Sequence, residues 1–291
     1  MKFSSRRAGP LMALLSALFY STKSPLVRIG IEAGATVPAL AGLRMVFCAA
    51  IFFIVSRFRK TRPGSGLWRS PALIAASLLF TVSVIASFYA VAFAGVSLTV
   101  ILVYSHPVFV ALLSRIFYKT PLGPVKSFLL LTAWAGCASI ALTQPGGSGG
   151  KDVPLGSLLA LFAAATYAGY QLLVQRFSKK ASAFEIASAT SYWAVAPSLL
   201  MWRFSPPTVP LKALAVTAGL GFFSTFLPLA LLAGAISRIG AARTSTISLA
   251  GPLFGLLLAR FLFGETLTAA QLVGGGVVFV SVSALYLIKS R

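Results

Sequence analysis

Ionisable side chains are scarce within the apolar runs of this 291-residue chain, where four Asp or Glu and one His stand against 25 Lys or Arg. An ionisable group inside such a run is costly to bury, which makes it a functional candidate. Lys23 is the first, and Ser16, Tyr20 and Val27 share its face at helical spacing. At an offset of 147 positions the same face recurs as Ala163, Tyr167, Tyr170 and Val174, with Gln171 beside them. Two matched polar stripes on otherwise apolar helices suit the wall of an internal cavity. The competing reading has Lys23 reaching along its stem to the outer surface.

The only histidine, His106, directly precedes Pro107. Proline has no N–H, so the carbonyl one turn earlier, at Val103, loses its helical partner and is offered as an acceptor. Thr99, Val103 and His106 share a face, and their counterparts are Thr244, Ser248 and Gly251. An imidazole there could bind a carboxylate or carry a coupling proton. It could equally be a core histidine bonded to a neighbouring helix.

The candidate binding set is therefore Tyr20, Lys23, Thr99, His106, Tyr167, Tyr170, Gln171, Thr244 and Ser248. A cationic, hydroxyl-bearing and tyrosine-rich lining suits an anionic or zwitterionic metabolite with an apolar part. Pro107, Pro252, Pro25 and Pro228 are expected to break or kink the helices that carry it. Arg44 is expected to tie helices together through carbonyl groups. Glu265, like Glu185, suits a helix start, where a carboxylate meets unpaired N–H groups.

Enzymatic chemistry finds little support. One histidine with no nearby carboxylate supplies no acid–base pair. Cys48 and Cys137 lie in apolar runs without metal spacing and read as packing residues. Gly274, Gly275 and Gly276 permit close helix packing and lack the strand–turn–helix setting of a nucleotide cradle. No metal and no cofactor are expected.

The elements that must position these residues are membrane helices. With 58% hydrophobic residues, the chain needs lipid as its solvent, and continuous runs without alternation exclude a β-barrel. Residues 95–122 recur at 240–267, matching at Gly95/Gly240, Thr99/Thr244, Pro107/Pro252 and Arg115/Arg260 among others. Prolines interrupting matched spans of two related halves point to a solute site. The runs predict ten helices, near 9–31, 36–57, 70–92, 95–117, 122–142, 154–176, 183–203, 210–234, 240–262 and 267–288. The first, basic at its start, is read as an uncleaved helix.

With the N-terminus cytoplasmic, most of the 25 basic residues collect on that side, while Lys151, Arg203, Lys212 and Arg260 fall opposite. This bias argues for both termini in the cytoplasm. Two sets of five helices then make an inverted repeat, residues 1–142 and 154–291, joined by a flexible extracytoplasmic linker over 143–153. The basic ends orient the chain in the bilayer, so no nucleic-acid partner is expected. The partners expected are lipid and a small solute.

The segments PALAGLRMVF around Arg44, SFYAVAFAGVSLTVILVYSHPVFVALL, and LLAGAISRIGAARTSTISLAGPLFGLLLARFLFGETLTAAQLVGGG resemble the drug/metabolite transporter superfamily, in its EamA-like branch. The likeness runs through nearly the whole chain. Gly264-Glu265 stands where the family has a Gly-Glu pair, whereas Lys119-Thr120 replaces that pair in the first half and Tyr20-Ser21-Thr22 replaces a Trp-Gly start. The resemblance implies ten helices around a central cavity and the export of small metabolites, aromatic amino acids among them. The chain is expected to be a multi-pass protein of the plasma membrane (the bacterial inner membrane) that works by alternating access. A receptor or scaffold without transport is the alternative.

Overall fold

The computed structural model describes residues 5–58, 69–94, 96–119, 123–142, 152–203, 207–263 and 268–287. Within them the fold is all-α, in the order α1 Ser5–Ser21, α2 Lys23–Glu32, α3 Val37–Phe58, α4 Pro71–Ala94, α5 Val96–Val103, α6 His106–Tyr118 and α7 Pro124–Leu142. The second part runs α8 Val153–Phe177, α9 Ala183–Leu200, α10 Leu211–Gly221, α11 Leu227–Ile247, α12 Gly251–Phe263 and α13 Ala269–Leu287. The chain is an integral, multi-pass membrane protein.

The ten spanning helices expected from the sequence are not what the chain forms. By length and composition, five helices among the described residues can cross a membrane: Pro38–Phe58, Pro71–Ala90, Thr99–Tyr118, Val153–Phe177 and Leu211–Leu262. The reason is local. The run 9–31 is not one helix, because the chain turns at Thr22 and leaves pieces of 17 and 10 residues, each short of the roughly 20 that a crossing needs. Conversely, 210–234 and 240–262 belong to one helical run of 52 residues, Leu211–Leu262. The arrangement as two inverted sets of five depended on that count and falls with it, as does the ten-helix layout against which the basic residues were assigned to place both termini in the cytoplasm.

Helix starts follow local chemistry. Ser182 and Glu185 cap α9 reciprocally: the Ser182 N–H donates to Glu185 Oε2 at 2.8 Å and the Glu185 N–H to Ser182 Oγ at 3.2 Å. Thr268 and Gln271 do the same for α13, at 2.9 and 3.3 Å. Asp152 Oδ1 accepts from the Leu155 N–H at the start of α8. Glu265, expected to mark a helix start, lies outside the described residues, as do 143–151 of the expected linker.

Two compact units are formed, Met1–Thr81 with Leu173–Arg238, and Val82–Leu172 with Ile239–Arg291. In the first, Leu40, Ala213 and Leu220 are buried together against Leu26 and Val27. In the second, Ala111, Ala133, Cys137, Leu249 and Val278 form the core. There α7 and α13 meet through bare backbone, since a Cβ on Gly136 would stand 2.8 Å from the Gly274 carbonyl oxygen. Such contact is how helices gain dispersion energy in lipid.

Candidate functional site

The two sequence-matched segments both lie in the second unit, and both are interrupted just before their proline. In the first, α5 ends at Val103, Tyr104 and Ser105 form a turn, and α6 begins at His106. In the second, α11 ends at Ile247, Ser248–Ala250 tighten into a 3₁₀ turn, and α12 begins at Gly251. Proline removes the donor that Val103 and Ser248 carbonyls would otherwise have. The Ser248 carbonyl accepts the Gly251 backbone N–H instead. The Val103 carbonyl accepts from His106 Nδ1 at 3.1 Å. The acceptor expected from the sequence to face a ligand is thus taken by the neighbouring imidazole.

The other ring nitrogen, Nε2, lies 3.1 Å from Ser248 Oγ, and Ser248 Oγ donates to the Ser245 carbonyl at 2.6 Å. A serine hydroxyl has one proton. If it goes to Ser245, Nε2 must donate to Ser248 while Nδ1 donates to Val103, which makes His106 an imidazolium. In the neutral ring, the Ser248 proton must turn to Nε2 and leave Ser245. The His106–Ser248 bond therefore couples the charge on His106 to the hydroxyl of the opposite break. Thr244, buried like Thr99, donates its own hydroxyl to the Gly240 carbonyl at 2.8 Å. At Gly240 α11 departs from helical geometry, with φ +80°, a conformation that glycine adopts without strain.

The polar face of α8 meets the same histidine. The Tyr167 and His106 rings meet edge to face at 5.1 Å, and Tyr167 stacks on Tyr170 at 5.9 Å. Gln171 follows one turn after Tyr167. Opposite it on the helix lie the exposed Leu155, Leu158 and Phe162, so its side chain leaves the helix on the inward face. It is 0% exposed, and neither Nε2 nor Oε1 has a hydrogen-bond partner. An amide left that way costs about 1–3 kcal/mol. Nearby Tyr118 and Ser83 are committed within the fold, donating to the Leu172 and Ala163 carbonyls.

The remaining predicted residues belong to the first unit. Tyr20 ends near the break between α1 and α2, where Ser21 and Thr22 donate their hydroxyls back to the Leu18 and Phe19 carbonyls. Lys23 is the first residue of α2, with Pro25 buried two positions on. It lies within electrostatic reach of Arg44, which is itself buried on α3 and close to Tyr20 and Cys48. Pro228 follows a π-helical turn, Phe222–Phe226, in which the Leu227 N–H reaches back to the Phe222 carbonyl. The Pro228 carbonyl accepts from Ser16 Oγ at 2.9 Å.

His106, Tyr167, Tyr170 and Ser248 are thus brought together, with Thr99, Gln171 and Thr244 in the same unit; Tyr20, Lys23 and Arg44 gather in the other. Sequence reasoning missed Tyr104, whose hydroxyl stands too close to Gly251 to leave room for a Cβ there. A glycine directly before a proline, matched to a histidine in the other copy, was the available signal. It also missed the Thr268–Gln271 cap, although the Thr-x-x-Gln spacing is legible.

Comparison with known proteins agrees on one class. The model of the EamA-like transporter family matches twice, over residues 7–142 and 154–287. An uncharacterized transporter of Archaeoglobus fulgidus is 27% identical, with 96% of this chain and 97% of the relative covered. YcbK, an uncharacterized transporter of Bacillus subtilis, is 23% identical over 96% of this chain and 93% of its own length. The pseudopaline exporter CntI of Pseudomonas aeruginosa is 25% identical, with 96% of each chain covered. A solved crystal structure superposes with a TM-score of 0.81 at 17% identity, covering 97% of both chains, a likeness of fold.

Proposed function

Because the chain belongs to the EamA-like transporter family, we propose that it is a secondary transporter that exports a small polar metabolite, such as an amino acid or another carboxylate-bearing compound. The family is one of transporters, so the chain is a membrane transporter and not an enzyme. Its membrane would be the plasma membrane, the inner one in a bacterium with two. The two halves, 1–142 and 154–291, of which the family model covers 7–142 and 154–287, would move by alternating access, with Pro107 and Pro252 marking the helix interruptions beside the solute.

One observation carries this reading: an imidazole and two tyrosine rings meet at an interrupted helix, with a buried, unpaired amide one turn further along α8. Intramembrane polar groups of this kind mark solute paths. Rings offer a surface to the apolar part of a solute. That CntI is named an exporter supports the direction.

The test is counterflow of labelled amino acids and small carboxylates into proteoliposomes holding the full chain. Lys23→Ala and His106→Ala are expected to lose at least tenfold in exchange while remaining folded. Exchange indifferent to both changes would leave the class standing and move the site. No movement of any solute in the panel would reject this solute class.

A further inference from the structure

Gln171, on the inward face of α8, is fully buried and has no hydrogen-bond partner at either end of its amide. Thr166 on the same helix shows the usual resolution, donating to the Phe162 carbonyl at 2.8 Å. The Gln171 amide does not take that route, since neither of its ends has a partner. We propose that Gln171 anchors the transported solute and selects a group that carries a hydrogen-bond donor and an acceptor side by side. This rests on the transport reading and narrows it.

The selection follows from the inventory of a primary amide. Nε2 offers two donors and Oε1 one acceptor site or two, at fixed separation and with no net charge. Turning the amide over exchanges the two ends and changes nothing in this requirement. A lone carboxylate pairs with Nε2 and sets its second oxygen against Oε1. A lone amine pairs with Oε1 and leaves Nε2 dry. A carboxamide satisfies both ends at once, and so does the ammonium–carboxylate end of a zwitterion. At 0% exposure, an end left unpaired is penalised in full. Tyr167, one turn before Gln171 and stacked on Tyr170, supplies a flat apolar surface for the rest of the molecule.

The experiment compares wild type with Gln171→Met, which keeps length and removes both polar atoms, in lipid nanodiscs. Melting is followed with two probe series, one with a phenyl and one with a methyl body. Phenylalanine and phenylacetamide, or alanine and propionamide, carry both functions; 3-phenylpropionate and 2-phenylethylamine, or propionate and ethylamine, carry one. Gln171→Met without solute is expected to melt no lower than wild type, since it removes an unpaired amide. In at least one series the two-function probes are expected to stabilise wild type and to bind Gln171→Met at least tenfold more weakly, while the one-function probes stabilise neither.

A ligand-free Gln171→Met that melts several degrees lower would show a structural amide and overturn the proposal whatever the solute. So would equal binding by one-function probes, or unchanged affinity in the variant, and either would leave transport standing if counterflow proceeds. Absence of binding by every probe overturns the proposal as well; counterflow with wild type then shows whether the transport reading goes with it.

Discussion

The breaks at Pro107 and Pro252 occupy matched places in two related segments, yet they satisfy the same backbone deficit by different means. In the first, a side chain does it: His106 Nδ1 donates to the Val103 carbonyl. In the second, the backbone does it alone, with Gly251 closing a 3₁₀ turn onto Ser248. The side chain of one copy then reaches the hydroxyl of the other, 142 positions away, and the bare glycine of the other admits Tyr104 from the first. A duplicated motif need not stay symmetric. Once its copies pack against each other, a protruding residue in one calls for a recess in its counterpart.

The most damaging way to break this complementarity is to fill the recess. Gly251→Ala places a methyl group on the Tyr104 hydroxyl, and overpacking of this kind costs about 1–3 kcal/mol. Tyr104→Phe should restore most of the loss, because the nearest remaining ring carbon is 3.2 Å from the new Cβ. Thermal unfolding of the two single variants and the double variant reads both effects.

Removing the protruding partner should do less. His106→Leu and Ser248→Ala should each destabilise the fold, and their double-mutant cycle should show a coupling of about 1 kcal/mol, as for one buried hydrogen bond. Additive effects would mean that the two breaks are not joined through this bond.

The smallest effect concerns the ends of the two segments. Lys119 closes α6 at φ 52°, in the left-handed region, where the second copy has Gly264, outside the described residues. Lys119→Gly should stabilise the protein by about 0.5–1 kcal/mol, by relieving that strain. A loss of stability would show that the lysine side chain holds the helix end.

The sequence was most legible where a feature repeats or obeys helical spacing. The duplication, the membrane class and the stripe Tyr167–Tyr170–Gln171 could all be read from residue types and intervals. What could not be read is how groups far apart in the chain satisfy one another. Pro107 announces an orphaned carbonyl at Val103, but nothing nearby in sequence says that His106 will turn back to it. The span count failed for a related reason. Hydropathy is blind to the turn at Thr22, where small hydroxyls bonding to their own backbone let an apolar run bend without a change of composition.

The π-helical turn at Phe222–Phe226 has a consequence for how this chain can change over generations. Such a turn holds one residue more than the α-helix around it, sheltered here by Ser224 and Thr225, whose hydroxyls both fall on the Leu220 carbonyl. Inserting a residue into a straight helix rotates everything beyond it by about 100° and turns its buried face outward. A helix that stores its surplus in one wide turn keeps the later residues in phase. The stretch before Pro228 is therefore where this chain can lose a residue while Ser16 still meets the Pro228 carbonyl.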